Sequence, residues 1–448
     1  MPASRTTLNS RNLEALGAAQ LAALLLELSQ GHAAFKRRLR LALAAGSSAA
    51  EAGQELRKRF RSIAQARTYL DLAKRKTLLG ELEGHLATIS GNLAADNPTL
   101  AHELHWQLLE LAEGIFDRCH DGSGSLASFF AKVLHQLGAT VAAAQPSTGQ
   151  LADRIADGLA ENNSYNQLDG LVVALKEPLG ADGLKALREA LAARGLPERS
   201  AVMLALADAL GDVDSFMACF QTHELQWPPT AAAVAERLLG AGRAAEALAV
   251  LQAVDLTGRE WMAGLLSDGH IQALEALGHT EQAQQLRWQC FTAELNPRHL
   301  RAYLARLPAF EDGEAEERAL DLVQADADGP GALRFLLAWP ELRRAAALVL
   351  AEPNRWDGDD YGLYGPAAEQ LEASQPLAAT VLLRAMVVFA LEAARTKRYR
   401  YAAEHLLRCD ALAAAISNWQ QLPDHDQFCA WLRQRYGRRS SFWHQLGS

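Results

Sequence analysis

The sequence predicts an all-α protein, an α-solenoid of antiparallel helical hairpins that is tetratricopeptide-like in its middle. Three observations lead there. Ala and Leu dominate the chain, and both lose little side-chain entropy in a helix. No stretch sustains the period-two alternation of a strand, and β-branched residues are too sparse to build one. Gly242-Arg243-Ala244-Ala245-Glu246-Ala247-Leu248 aligns with Gly278-His279-Thr280-Glu281-Gln282-Ala283-Gln284, an offset of 36 residues. That period is near the one expected of stacked helical hairpins, each of which buries its apolar face on its neighbour.

The helices follow in order. Asn9 or Ser10 is placed to cap a helix over residues 12–30, whose Leu13, Leu16, Leu21, Leu24, Leu25 and Leu28 keep helical spacing and which stops at Gly31. Residues 1–10 before it read as a frayed arm. A short basic helix, FKRRLRLALAA, ends at Gly46; further helices are expected over residues 49–72 and 74–89. Asp96-Asn97-Pro98 breaks the chain, and helix resumes over 100–116 and 125–144. Beyond Pro146–Gly149 come helices over 151–160, 168–175 and 184–193, the last two separated by Pro178 and Gly180. Asn296-Pro297 opens another helix, and Lys397-Arg398-Tyr399 with Ala402-Ala403 reads as a weaker copy of the repeat. In the last helix, Phe428 and Trp431 suit an inner face and the arginines an outer one, as a terminal cap requires. Three regions result: 1–145 with basic helices, 146–310 with the hairpin repeats, and 311–448 with further repeats and the cap.

At 448 residues the chain exceeds one simple core. A 49% hydrophobic and 22% charged composition excludes disorder and a long coiled coil. The five cysteines stand far apart and are odd in number, which points to a reduced, cytoplasmic protein. The opening MPASRTTLNSRN lacks the apolar core of a secretory signal, and no apolar run is long enough to span a bilayer, so no membrane role is expected.

No complete catalytic or metal-binding constellation emerges, and neither an enzyme activity nor a cofactor is expected. His102-Glu103-Leu104-His105 falls one residue short of the zinc-protease spacing, which places both imidazoles on one helix face, and reads instead as surface histidines. Asp357-Gly358-Asp359-Asp360 begins like a calcium loop. Gly362 fills its sixth position, but Ala368 stands at the twelfth, with Glu369 one place late. It reads as an acidic loop capping a helix that begins near Pro366. Cys119-His120 are adjacent and point apart on a helix. Cys219 and His223 are within reach of one another but have no third orienting group.

Charge is the more informative signal. The net charge is −9, yet residues 36–76 hold twelve Lys or Arg against three Asp or Glu, leaving about −18 for the rest. Lys36, Arg37, Arg38 and Arg40 form one cluster, Arg57, Lys58, Arg59 and Arg61 a second, and Lys74, Arg75 and Lys76 a third. Together they are candidate contacts for phosphates or a protein partner, or they pair internally with the acidic residues 311–328. Arg433, Arg435, Arg438 and Arg439 form a further candidate contact for an acidic partner.

Several stretches resemble an uncharacterised bacterial family of helical proteins, a domain of unknown function. They are TLNSRNLEALGAAQLAALLLELSQG with KRRLRLALA, DRCHDGSGS, DRIADGLAENNSYNQLDGLV, YGLYGPAAEQLE and KRYRYAAEHLLRC, spread over essentially the whole chain. The resemblance implies an all-helical solenoid and no particular activity. The last third also resembles, more faintly, the helical tails of SWIM zinc-finger proteins. The Cys-x-Cys and Cys-x-His pairs of that finger are absent, so zinc is not carried over. The expected function is a scaffold for protein–protein interaction; the alternative is a nucleic-acid-associated protein using the basic helices of residues 36–76.

Overall fold

The computed structural model describes residues 7–447, and among them every regular element is a helix. Residues 1–6 of the expected frayed arm lie outside the described residues. The chain forms two compact units, Met1–Leu225 and Gln226–Ser448. Their junction lies inside the middle region drawn from the sequence, and Pro146–Gly149 joins two helices within the first unit.

Unit one contains α1 (Ser10–Glu14), α2 (Gly17–Ser29), α3 (Ala33–Ser47), α4 (Ala49–Ala64), α5 (Leu72–Thr88), α6 (Pro98–Leu109), α7 (Ala112–Phe116), α8 (Ser125–Ala144), α9 (Thr148–Glu161), α10 (Leu171–Ala193), α11 (Ala201–Leu210) and α12 (Val213–Ala218). Short polar side chains start many of them. Asn9, Ser48, Asp71, Asn97, Ser147, Ser200 and Asp212 each accept a first-turn backbone N–H, satisfying donors that the helix itself cannot. Asp121 does the same for α8, accepting from Ser125, Leu126 and Ala127 at 2.9–3.1 Å. The helix expected over residues 12–30 is broken at Ala15–Leu16 into α1 and α2. The helix expected to run to Leu72 stops at Ala64. Pro178 does not end α10, which instead kinks at Gly180.

Among the described residues α8 is the helix long and apolar enough to cross a membrane. It packs instead against α5, α6 and α10, with Leu126, Phe129, Phe130, Val133, Leu137 and Val141 buried in the core. Two polar groups are buried beside this packing. His105 of α6, expected at the surface, is fully buried and shares hydrogen bonds of 3.0 Å with Thr140 of α8 and with Ser90. His102 is buried as well, edge-on to Trp106. The helix carrying them is apolar on nearly every face, which the motif-like HELH reading overlooked. Glu81 of α5 is held by Arg37 of α3 and Arg59 of α4, each nearest contact 2.8 Å. Burial opposes its charge, but the Arg37 and Arg59 hydrogen bonds hold its carboxyl below the usual range. His85, a turn further on, is pushed down to about 4, chiefly by burial against the opposing pull of Glu81. It is therefore neutral at pH 7, and its 3.8 Å approach to Glu81 is a contact rather than an ion pair. Burial also lowers His105 to about 4.

Unit two contains α13 (Pro228–Gly240), α14 (Ala244–Gln252), α15 (Gly264–Ala276), α16 (Thr280–Glu294), α17 (Pro297–Leu304), α18 (Asp312–Gln324), α19 (Gly329–Ala338), α20 (Leu342–Ala351), α21 (Tyr361–Leu371), α22 (Pro376–Glu392), α23 (Tyr399–Ala413), α24 (His425–Tyr436) and α25 (Ser440–Gln445). Neighbours in sequence are mostly neighbours in space, and α13 touches α15, α18 touches α20, α19 touches α21 and α20 touches α22. The 36-residue repetition has a structural counterpart. Gly242 ends α13 at φ +74° and Gly278 ends α15 at φ +77°. In each case the next N–H, that of Arg243 or His279, donates 2.8 Å back to the carbonyl of Leu238 or Leu274. This closure needs a left-handed residue, which glycine supplies without a Cβ penalty. The weaker copy keeps the geometry without the glycine: Ala394 takes φ +51°, and Arg395 N–H reaches the carbonyl of Ala390 at 3.0 Å. The acidic residues 311–328 lie largely on α18, where Glu317 and Asp321 pair with Arg344 at 2.6 and 2.7 Å.

Two predictions follow from these backbone and burial facts. Gly278→Ala should lower stability by about 1 kcal/mol and Ala394→Gly should raise it by a similar or smaller amount; equal melting temperatures for all three chains would contradict the left-handed assignment. His85 and His105 stay neutral when folded, whereas their unfolded counterparts protonate near pH 6.5. Stability is therefore lost as pH falls from about 6.5 toward 4, by about 2 kcal/mol per histidine at pH 5. Urea denaturation at pH 7 and pH 5 measures this, and His105→Gln should shrink the difference.

Candidate functional site

The three basic clusters separate into structural and exposed members. Arg37 and Arg59 are committed to Glu81. Arg75 is buried, donates to the carbonyl of His120 and lies 3.9 Å from Asp121, tying α5 to the loop before α8. Lys74 sits 3.4 Å from Asp71 on the surface, and Arg61 donates weakly to the carbonyl of Arg57 at 3.4 Å. Lys36, Arg38, Arg40, Lys58, Arg61 and Lys76 are exposed, and Arg57 is half-buried. Lys36 and Arg40 are one helical turn apart on α3, which packs against α4. A groove of about 460 Å³ runs along another face of α3, walled by small residues such as Ala42, Gly80 and Gly84, with Phe35 and Arg38 in its lining.

Exposed apolar surface is concentrated just ahead of these helices. Leu24, Leu25, Leu26 and Leu28 of α2 are 42–66% exposed, and Phe35 is 56% exposed. The sequence placed Leu24, Leu25 and Leu28, though not Leu26, on a helical stripe, but the described chain supplies no surface that covers them.

At the other end of the chain, Tyr399, Ala402, Ala403, Leu406 and Cys409 of α23 are all buried. The assignment for the next helix needs correction. Phe428, Leu432 and Tyr436 form the inner face of α24, whereas Trp431 is 40% exposed and stacks on Phe428 at 5.8 Å. Trp431 is offset from that i, i+4, i+8 stripe by about one residue step, a turn of roughly 100°. Nor is α24 the last helix, since α25 follows with Phe442 fully buried. Of the arginines, Arg433 lies over Trp443 and Arg435 pairs with Glu392 at 3.3 Å; Arg433, Arg435 and Arg438 are exposed, and Arg439 is half-buried.

The least expected group is Arg384. It sits in α22, a helix buried nearly all round, and is itself 7% exposed. Its guanidinium lies between Phe428 at 4.3 Å and Trp419 at 4.8 Å, and its Nη1 donates to the carbonyl of Pro423 at 2.7 Å. Nε and Nη2 are buried with no hydrogen-bond partner, and burial lowers the pKa of the group. Arg384 lines a cavity of about 510 Å³. Its far wall comes from the DGDD loop, where Gly358 lies so close to α22 that a Cβ would overlap the carbonyl oxygen of Ala385. Asp360 of that loop caps α21 through Leu363 N–H, so the helix begins at Tyr361 and not near Pro366. Nothing in the sequence singled out Arg384. The one available signal was a lone cation inside the apolar run from Leu377 to Leu391.

Cysteine chemistry is subdued. Cys429 Sγ lies 3.2 Å from His425 Nε2, and Asp410 lies 3.6 Å from the same nitrogen. A relay would need the carboxylate on the other nitrogen. Burial pushes the Cys429 thiol up and Cys409 up to about 12. Cys219 is likewise pushed up by burial and is bonded to the carbonyl of Ser215 rather than to His223. Among the described residues no group of three or more His, Cys, Asp or Glu is placed to hold a metal.

Comparison with known proteins adds one firm result. No curated protein matches the chain. A solved structure described as a circular tandem repeat protein with novel repeat topology and enhanced subunit contact surfaces aligns over 96% of this chain and 99% of its own, at 14% identity and a TM-score of 0.23, a likeness too weak to say anything of the fold. The resemblance to SWIM-protein tails is not shown by these comparisons. The model of a family of unknown function, DUF6880, matches residues 3–200 and 197–445. The chain belongs to that family.

Proposed function

We propose that the chain is a helical-repeat scaffold that binds a protein partner and performs no catalysis, with α13–α16 forming tetratricopeptide-like hairpins of an α-solenoid. The observation that carries the reading is the run of exposed leucines on α2, followed on α3 by the exposed Phe35. Contiguous apolar surface of this kind marks an interaction site, because leaving it in water forgoes the main driving force for burial. The matched reversals at Gly242 and Gly278, and the packing of most helices on their sequence neighbours in the second unit, support the repeat architecture. Burial raises the thiol pKa values of Cys219, Cys409 and Cys429, which disfavours thiolate chemistry at these positions. The test compares the wild type with a Leu24→Glu, Leu28→Glu double variant in affinity capture. At equal helicity by circular dichroism, partners held by the wild type should be lost from the variant; an identical set of captured proteins would overturn the assignment of the surface.

A second reading, contact with nucleic acid through α3–α5, rests on the exposed Lys36, Arg38, Arg40, Lys58, Arg61 and Lys76. Because Arg37, Arg59 and Arg75 are engaged internally, the charge available to phosphates is smaller than the sequence suggested. Binding to duplex or single-stranded nucleic acid should fall steeply with salt and be abolished by Lys58→Glu with Arg61→Glu. Absence of binding at low salt would exclude it.

A further inference from the structure

The buried guanidinium of Arg384 needs a reason. Burying a cation is costly unless a carboxylate or a full set of acceptors accompanies it, and here one carbonyl, that of Pro423, accepts a hydrogen bond. No carboxylate lies within ion-pair distance of Arg384 among the described residues; Asp424 acts on it only through its longer-range charge. Nε and Nη2, the pair without a partner, form one edge of the planar group. That same edge clamps a carboxylate elsewhere in this chain: Arg59 reaches the two oxygens of Glu81 with Nε and Nη2, both at 2.8 Å. An arginine fork of this kind matches a carboxylate in two parallel hydrogen bonds.

The surroundings define the rest of the ligand. The cavity that Arg384 lines has the volume of a small-molecule site, about 510 Å³, and Trp356, Phe389 and Trp431 contribute aromatic walls. Asp357 and Glu392 also line it, which disfavours a dianion such as phosphate and leaves a singly charged acid. We propose that this cavity binds a small aromatic monocarboxylate, its carboxylate received by Nε and Nη2 of Arg384 and its ring held among Trp356, Phe389 and Trp431. Both donors are covered in the ligand-free chain, so the carboxylate reaches them as the side chains around that edge rearrange. The site is independent of the apolar surface on α2.

Calorimetric titration of the full chain with 2-naphthoate, 2-naphthamide and inorganic phosphate tests this. Binding of 2-naphthoate is expected, with the amide and phosphate at least tenfold weaker. Arg384→Lys, which keeps the charge and loses the fork, should weaken 2-naphthoate at least tenfold, and Trp431→Ala, at a half-exposed position, should weaken it several-fold without unfolding the chain. Should Arg384→Lys fail to fold, the comparison of acid with amide in the wild type and the Trp431→Ala result decide the matter. Equal binding of acid and amide, tighter binding of phosphate, or no binding of 2-naphthoate at millimolar concentration each overturns the proposal.

Discussion

The chain depends on reversing direction cheaply. Its helices are mostly short, and short helices have little stability in isolation; each must lie against the previous one to bury its stripe. Several of its reversals share one backbone arrangement, an N–H reaching the carbonyl five residues earlier around a residue in the left-handed region. Gly211, Gly242, Gly278 and Ala394 all carry it. The hydrogen bond satisfies a carbonyl at the helix end that would otherwise be unpaired, and the left-handed residue sets the exit direction of the chain. Apolar packing then supplies the stability, but the turn decides which faces meet.

Such turns are legible in sequence where glycine marks them, which is why the hairpins around Gly242 and Gly278 could be placed in advance. Ala394 was legible only through its flanks, since nothing in an alanine announces a positive φ. Burial was harder to read than helicity. His102 and His105 read as surface residues because two histidines three apart suit the solvated face of an amphipathic helix. Their burial is set by α8, which lies distant in sequence, and local spacing carries no trace of it. Trp431 failed in the opposite sense: a large aromatic residue was assigned inward, while the register of Phe428, Leu432 and Tyr436 left it on the flank.

Charge shows the same division. The excess of Lys and Arg over residues 36–76 was visible at once, but the purpose of each was not. Glu81 lies outside that interval, and it is Glu81 that turns Arg37 and Arg59 from candidate contacts into fastenings among α3, α4 and α5. A buried carboxylate shared by two guanidiniums fixes the mutual placement of three helices more narrowly than apolar contact alone, since its hydrogen bonds require direction as well as proximity. Arg384, by contrast, has cost without an evident structural return, and that imbalance distinguishes a group kept for a ligand from one kept for the fold.

Gly358 bears on how the cavity beside Arg384 can change over evolutionary time. Any side chain at that position would collide with the backbone of α22 at Ala385, so this wall cannot be reshaped by substitution without moving the helix that carries Arg384. Variation is channelled to the rest of the lining, where Trp431 stands half-exposed and Val388 is only partly buried. Divergent relatives would then share an invariant back wall and differ in what the front admits, a division of labour that separates keeping a pocket from retuning it.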